Sequence, residues 1–339
     1  VLINLYNRFK HFRRTKAASV QLQQLEADLL AESALDPTYL ILIIGSCTIA
    51  TFGLLANSAA VIIGAMIIAP LMLPIRGLAF GGLQGNGLLF RKGVIAVIIG
   101  TLLAIAIAYG LGLLVRLPSY GSEVFARSAP NLLDLGIAVA AGSISGYAKV
   151  EPKVSGSLAG TAIAVALMPP ICVIGLGLAQ ANGSLSLGAT LLYLTNLLGI
   201  TLSCMLVFLL AGYASFRRAH RALTGTMALT AVLIVPLGVS FARLAQQAHL
   251  EVSLRRALLS RTVTFQRLEL LRTETNWLTN PPEVRLNVRA KEPVTPRQVG
   301  LLEEFIAKEM GQSFVLIFEV GQVEEVRRET DASTAVGER

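Results

Sequence analysis

Two short stretches place prolines inside otherwise unbroken apolar sequence. Pro70 and Pro74 lie in Ala69-Pro-Leu-Met-Leu-Pro-Ile75, and Pro169 and Pro170 in Leu167-Met-Pro-Pro-Ile171. Proline has no N–H to donate and displaces the carbonyl four residues earlier. Pro70 is therefore expected to free Met66, Pro74 to free Pro70, and the second pair to free Val165 and Ala166. Freed polar backbone is costly in lipid unless protein or water satisfies it. The chemistry on offer is recognition of a small solute by backbone dipoles, with a plain packed kink as the alternative. Pro74 and Pro170 each suit the first turn of a second half-helix, whose partly positive start favours an anion. The freed carbonyls suit a cation equally well. Arg76 stands in that first turn, either as an added charge or as a side chain reaching back to the membrane surface. No acidic residue lies deep in an apolar run, so the reading leans to an anion or a neutral solute. The expected lining is Pro70, Met72, Pro74, Arg76, Met168, Pro169, Pro170 and Asn196.

The two stretches belong to one duplicated segment. Gly64, Ile67, Leu71, Met72, Pro74 and Ile75 return 96 residues later as Gly160, Ile163, Leu167, Met168, Pro170 and Ile171. Upstream, Gly45-Ser46 falls on Gly142-Ser143 if one residue is inserted. Duplicated apolar segments with central breaks mark transporters and channels built from internal repeats. Gly45, Ser46, Gly64, Gly142, Ser143 and Gly160 are expected to let helices pack closely or to hydrogen-bond between them.

The elements that must position these residues are membrane spans. Pro37 to Ile75 and Val154 to Phe216 contain no charged residue or histidine. About 20 apolar helical residues cross a hydrocarbon core, so each run holds more than one crossing. Seven spans are expected, near 38–56, 59–82, 93–115, 132–148, 156–179, 187–213 and 223–242. With the N-terminus inside, the inner flanks carry thirteen basic residues and the outer loops before the last span carry two, Arg116 and Arg127. That asymmetry fixes the orientation. Spans one to three (38–116) and four to six (131–215) then form two copies. Three is odd, so they insert with opposite orientation around the breaks. Lys149, Glu151 and Lys153 stand at the inner mouth before the fifth span, where they either gate it or mark the boundary.

The ends differ in character. Residues 1–37 hold a basic segment and a short amphipathic helix with Leu22, Leu25 and Leu29 on one face. From Arg243 onward basic and acidic residues balance, fourteen each, so the net charge of +8 resides around the spans. A soluble α-β-β-α-β unit is expected over 248–322: a helix at 250–259, a strand near 262–270, a strand at 284–288, a helix opened by Thr295-Pro296, and a strand at 313–320. Residues 323–339 read as a disordered tail, and seven spans place the small unit outside the cell.

Asn57 to Ile75 and Glu151 to Pro170 resemble the paired signatures of an uncharacterised hydrophobic family of prokaryotic membrane proteins, domain of unknown function 389. The resemblance covers about residues 38–215. It implies a multi-pass prokaryotic membrane protein and names no substrate.

The fold expected is an all-α polytopic bundle of two inverted three-helix repeats with broken helices, followed by a small α/β domain. No phosphate-binding loop, zinc-protease motif or nucleophile elbow is present, which argues against an enzyme or a cofactor. Cys47, Cys172 and Cys204 lie in spans without metal-ligand spacing. The bases flank spans instead of forming one stripe, which argues against nucleic acid. The function expected is a channel or secondary transporter for a small ion or polar solute, in an inner-membrane homo-oligomer. The alternative is a scaffold or sensor whose outer domain binds a partner.

Overall fold

The computed structural model describes residues 19–151, 167–214, 216–261, 268–276, 281–290 and 294–322. The expected basic segment over 1–18, the tail from 323, Lys153 and Gly160 lie outside the described residues, as do Val165 and Ala166. The chain divides into two compact units, Val1–Phe241 and Ala242–Arg339.

The first unit is helical: α1 Ser19–Glu32, α2 Pro37–Leu55, α3 Ala59–Ile68, α4 Met72–Gln84, α5 Gly87–Val115, α6 Ser122–Ala126, α7 Leu132–Val150, α8 Met168–Ala179 and α9 Gly183–Leu210. A further helix, α10, runs from Phe216 to Arg261. Polar residues punctuate the apolar runs and set the starts. Asp36 accepts from the Tyr39 N–H at 2.7 Å ahead of Pro37, and Asn131 with Asp134 forms a capping box for α7. These side chains answer amides that a helix start leaves without partners.

Among the described residues, α2, α5, α9 and the stretch Ala219–Ala242 of α10 are long and apolar enough to cross a membrane. Helices α3 and α4 make a fifth crossing if taken together, bent by 51° at their junction. These account for up to five of the seven expected crossings; at the places of the other two stand the 19-residue α7 and the short α8, whose upstream part is not described. Large apolar side chains point outward along them, with Leu114 79% and Val232 71% exposed. Such faces are stable against lipid and not against water. These helices are those of a multi-pass membrane protein.

Hydrogen bonds and close approaches sort the helix ends into two groups. Asn57, after α2, accepts from the Ser122 hydroxyl and the Glu123 N–H, and Gly188 of α9 meets the Ser128 carbonyl. The other group joins α1 to the α4–α5 turn through Asn86 and Glu26, and joins that turn to the end of α9 through Gln84 and the Tyr213 carbonyl.

Helix packing uses some of the expected small residues and not others. A Cβ on Gly142 would lie 2.1 Å from Ser203 Oγ and 2.6 Å from the Ile200 carbonyl, so α7 and α9 touch backbone to backbone there. Gly45 and Gly64 have nothing within 4 Å of a Cβ and are not packing positions. Ser46 and Ser143 bond to Ile43 and Val139 of their own helices, so neither joins two helices as expected.

In the second unit β1 (Leu268–Asn276), β2 (Glu283–Ala290) and β3 (Val315–Gln322) form one sheet in that order. The pair β1–β2 is antiparallel and β2–β3 parallel, with helix α11 (Pro296–Met310) as the crossover. Alternation in Val284-Arg-Leu-Asn-Val288 buries Val284, Leu286 and Val288 against Leu302 and Ile306 of α11 and Leu254 of α10. Thr295 and Gln298 form a capping box, and Gly311 closes α11 at φ 66°. The described part of the first strand pairs with β2 from Leu268–Ala290 to Asn276–Glu283, and the expected start near 262 lies outside the described residues. The expected helix at 250–259 and the span before it are one helix, α10.

Gly142→Ala should lower the midpoint of thermal unfolding in detergent, with a loss of about 1–3 kcal/mol from forced overpacking. Gly45→Ala should leave it unchanged or raise it by up to about 1 kcal/mol, since alanine favours helix and meets open space. Equal midpoints for the two variants would contradict the packing described.

Candidate functional site

A break lies at the first proline pair, between α3 and α4, and a helix begins at the second pair, after residues that are not described. Helix α3 ends at Ala69, whose N–H reaches the Ala65 carbonyl. Helix α4 begins at Met72, two residues before Pro74, with Leu71 as its cap. Helix α8 begins at Met168 with Leu167 as its cap and Pro169 next in line. Leu71 and Leu167, Met72 and Met168, and Pro74 and Pro170 thus hold the same places in the two half-helices. The expectation that Pro74 frees the Pro70 carbonyl is not met, because the Leu73 N–H takes that carbonyl at 3.1 Å. Pro70, Met72, Pro74, Met168, Pro169 and Pro170 are all buried.

This placement bears on the expected lean toward an anion or a neutral solute. A helix start offers unpaired N–H groups in its first turn. In α4 the Leu73 N–H is spent on Pro70 and Pro74 has none. In α8 both Pro169 and Pro170 have none, and the Ile171 N–H returns to the Leu167 carbonyl. Each first turn keeps one donor of its own, at Met72 or at Met168. The end of α3 keeps its last-turn carbonyls, so that break is richer in acceptors than in donors.

The correspondence at 96 residues extends well beyond the prolines. Asn86 caps α5 by accepting from Leu88 and Leu89, and Asn182 caps α9 by accepting from Leu185. The Asn86 N–H reaches the Gly81 carbonyl at 2.9 Å, and the Asn182 N–H reaches the Gly177 carbonyl at 2.8 Å. Gly85 and Ala181, one residue earlier, are both left-handed, at φ 74° and 54°.

Contacts between the two segments come in matched pairs. The Gln84 amide donates to the Tyr213 carbonyl, and the Gln180 amide donates to the Leu117 carbonyl. The Phe80 ring meets Phe208 edge-on at 5.2 Å. The counterpart positions, Leu176 and Gly112, also meet, with Leu176 Cδ2 3.2 Å from where a Gly112 Cβ would be. Each half-helix packs on the third helix of the other segment. The signal was present in Leu83-Gln-Gly-Asn-Gly-Leu-Leu89 against Ala179-Gln-Ala-Asn-Gly-Ser-Leu185, whose Gln, Asn and Gly recur at the same spacing.

A partly buried charge cluster ties three helices together. Glu32, at the end of α1, receives Arg76 of α4 at 3.2 Å and Lys149 of α7 at 2.8 Å. Asp28 adds a longer contact to Lys149 at 3.5 Å. The side chains of Arg76, Lys149 and Glu32 are 11%, 14% and 25% exposed, whereas Asp28 is 53% exposed. Arg76 is therefore neutralised by a carboxylate and is no free anion receptor. Its Nε is buried and has no hydrogen-bond partner among the described residues. Leu25 and Leu29 seat α1 on the bundle, and Gly77 of α4 leaves room for Ser33, whose Oγ a Cβ would meet at 2.0 Å.

The expected mouth cluster is thus rearranged. Lys149 turns to Glu32, and Glu151 faces Tyr213, whose phenol is pushed up by burial and further by that negative neighbour. Asn196 is buried on α9, and Thr195 bonds to Leu191 of its own helix. Cys47 of α2 and Cys172 of α8 are 3.6 Å apart, sulfur to sulfur.

Bent and interrupted apolar helices around a partly buried charge cluster define a multi-pass membrane protein. Residues 66–202 match the family model described as domain of unknown function 389, the family that the two signature stretches resemble. An uncharacterised protein of Methanocaldococcus jannaschii is 27% identical over 178 residues, which are 52% of this chain and 55% of that protein. The chain thus spans about half the length of the curated relative it matches. No solved structure matches.

Glu32→Gln should cost about 2–3 kcal/mol in unfolding experiments on the purified protein, because it leaves two buried cations short of a partner. Asp28→Asn should cost no more than about 1 kcal/mol, as for an exposed ion pair. Similar losses for both would show that Glu32 is not the hub.

Proposed function

We propose that the chain is a membrane channel or secondary transporter in which a small ion or polar solute passes between two inverted three-helix copies, α2–α5 and α7–α9. The observation that carries this reading is the reciprocity of the Gln84–Tyr213 and Gln180–Leu117 bonds, each the other's counterpart at 96 residues. A two-fold relation between the copies produces such pairs, and an accidental likeness of apolar sequence does not. The sorting of helix ends supports opposite insertion. Helices α2 and α9 run between the same two groups of ends in opposite senses, and they hold the first place in one copy and the third in the other.

Interrupted helices near the middle of the bilayer are the usual site of solute binding in such proteins. The acceptor-rich α3–α4 break suits a cation or a donor-bearing neutral solute, whereas the sequence leans to an anion or a neutral solute. Glu32 acts as the inner gate in this reading. It bridges α4 of one copy to α7 of the other, and passage requires it to release Arg76 or Lys149. The N-terminus lies inside and the C-terminal unit outside, in a homo-oligomer of the inner membrane.

A second reading, a non-transporting scaffold or sensor, is favoured by the burial of all four prolines. Flux through proteoliposomes separates the two. Across a panel of common cations, anions and neutral solutes, at least one should move, and faster with Glu32→Gln. The Pro74→Ala/Pro170→Ala variant should move it at least tenfold more slowly. If nothing moves, or both variants match the parent protein, the transport reading fails and the scaffold stands.

For the orientation, a Gln312→Cys variant should react with a membrane-impermeant thiol reagent added to intact cells. The native cysteines are buried and give no background. Reaction only after lysis would refute the outward placement.

A further inference from the structure

A cavity separate from the breaks lies in the flank of the first unit. Its volume is about 570 Å³, within the range of about 300–1,000 Å³ common for ligand pockets. The α4–α5 turn, α9 and the first turns of α10 enclose it. The hollow exists because side chains are missing: Gly82, Gly85, Gly87 and Gly225 all border it. A Cβ on Gly85, Gly87 or Gly225 would meet nothing within 4 Å. The walls are apolar, from Phe90, Leu198, Met205 and Leu229.

The polar groups on the rim are unequal. Asn86 caps α5 and donates to Glu26, so both are engaged. Thr226 returns its hydroxyl to the Ala222 carbonyl. Arg221 is exposed, and among the described residues no carboxylate pairs with it. The rim therefore offers one full positive charge above a greasy slot.

We propose that this groove holds one anionic phospholipid, its phosphate on Arg221 and one acyl chain along Leu198, Met205 and Leu229. Charge and length both select that occupant. Basic pockets between spans at a membrane surface bind anionic headgroups. From Arg221 to Leu229 is eight helical residues, about 12 Å at 1.5 Å each. That is close to the depth of one leaflet, about 15 Å or half of a 30 Å core. The wall on the α10 side faces outward, because the Ala219–Ala242 stretch has only 17% of its length buried and Leu229 is 59% exposed. A lipid can thus enter sideways from the bilayer. A free anion would use Arg221 and leave the apolar walls bare, and a second copy of the chain would need no charge at the rim.

The test uses the full chain, stripped of lipid in detergent and then given dioleoyl phosphatidylglycerol, dioleoyl phosphatidylcholine or inorganic phosphate. Native mass spectrometry should find one phosphatidylglycerol retained at least tenfold more tightly than phosphatidylcholine, and thermal unfolding should shift upward with that lipid alone. Arg221→Gln should abolish the preference between headgroups. Gly225→Phe should abolish retention of either lipid while its lipid-free unfolding midpoint stays within a few degrees of the parent's, since the new ring occupies open space. Equal retention of the two lipids by the parent protein overturns the proposal. So does retention unchanged by both variants, or a shift reproduced by inorganic phosphate. If Gly225→Phe instead converts a dimer to a monomer without altering lipid retention, the groove belongs to a second copy and the proposal is wrong.

Discussion

A helix that begins inside hydrocarbon exposes amides to a medium that cannot hydrogen-bond them, and the rest of this molecule is organised around that constraint. In water the first-turn N–H groups are solvated; in lipid each one left bare is worth several kcal/mol. The chain meets the difficulty by deleting donors instead of pairing them. Proline stands at the second and third positions of α8 and at the third of α4, and the remaining amide of the α4 pair folds back onto Pro70. What is left at the α3–α4 break is carbonyl-rich. Burial of the prolines then costs little, because a start with one free donor has little to lose by being dry.

Holding two such starts in place requires helices on either side that do not slide. Backbone-to-backbone contact between α7 and α9 at Gly142 supplies part of this, and the paired glutamines at opposite ends supply the rest. The amphipathic helix α1 contributes differently. It brings one carboxylate to two cations on separate helices, so a single side chain fixes the spacing of α4 and α7. Low polarity makes such an arrangement strong while intact and costly when one member is lost.

Much of this was legible in the residues. Charge-free runs gave the spans, the prolines gave the breaks, and the alternation in Val284 to Val288 gave the central strand of the second unit. The correspondence at 96 residues was visible at Leu71-Met72 and Leu167-Met168. Its continuation through Gln84, Asn86 and Gly87 was passed over because those residues look like ordinary turn punctuation when taken singly. Partners across the fold were not legible at all. Lys149 has Glu151 two residues away in sequence, yet its carboxylate is Glu32, more than a hundred residues upstream, which no local spacing encodes. Pro74 stands third in α4 and not first, a place that the preference of proline for a first turn does not distinguish. Gly45 and Gly64 look like packing glycines by composition, but a helix has a face turned to lipid and composition does not say which residues lie on it.

The bends before α5 and α9 share a left-handed backbone but not a residue. Gly85 accepts φ 74° freely, whereas Ala181 is held at φ 54° with a Cβ in the way, a conformation costing an ordinary L-residue about 1–2 kcal/mol. The two elbows, 96 residues apart, share one shape, and the second is the strained one. Glycine in place of that alanine would relax it, so the two elbows stand unequal in stiffness.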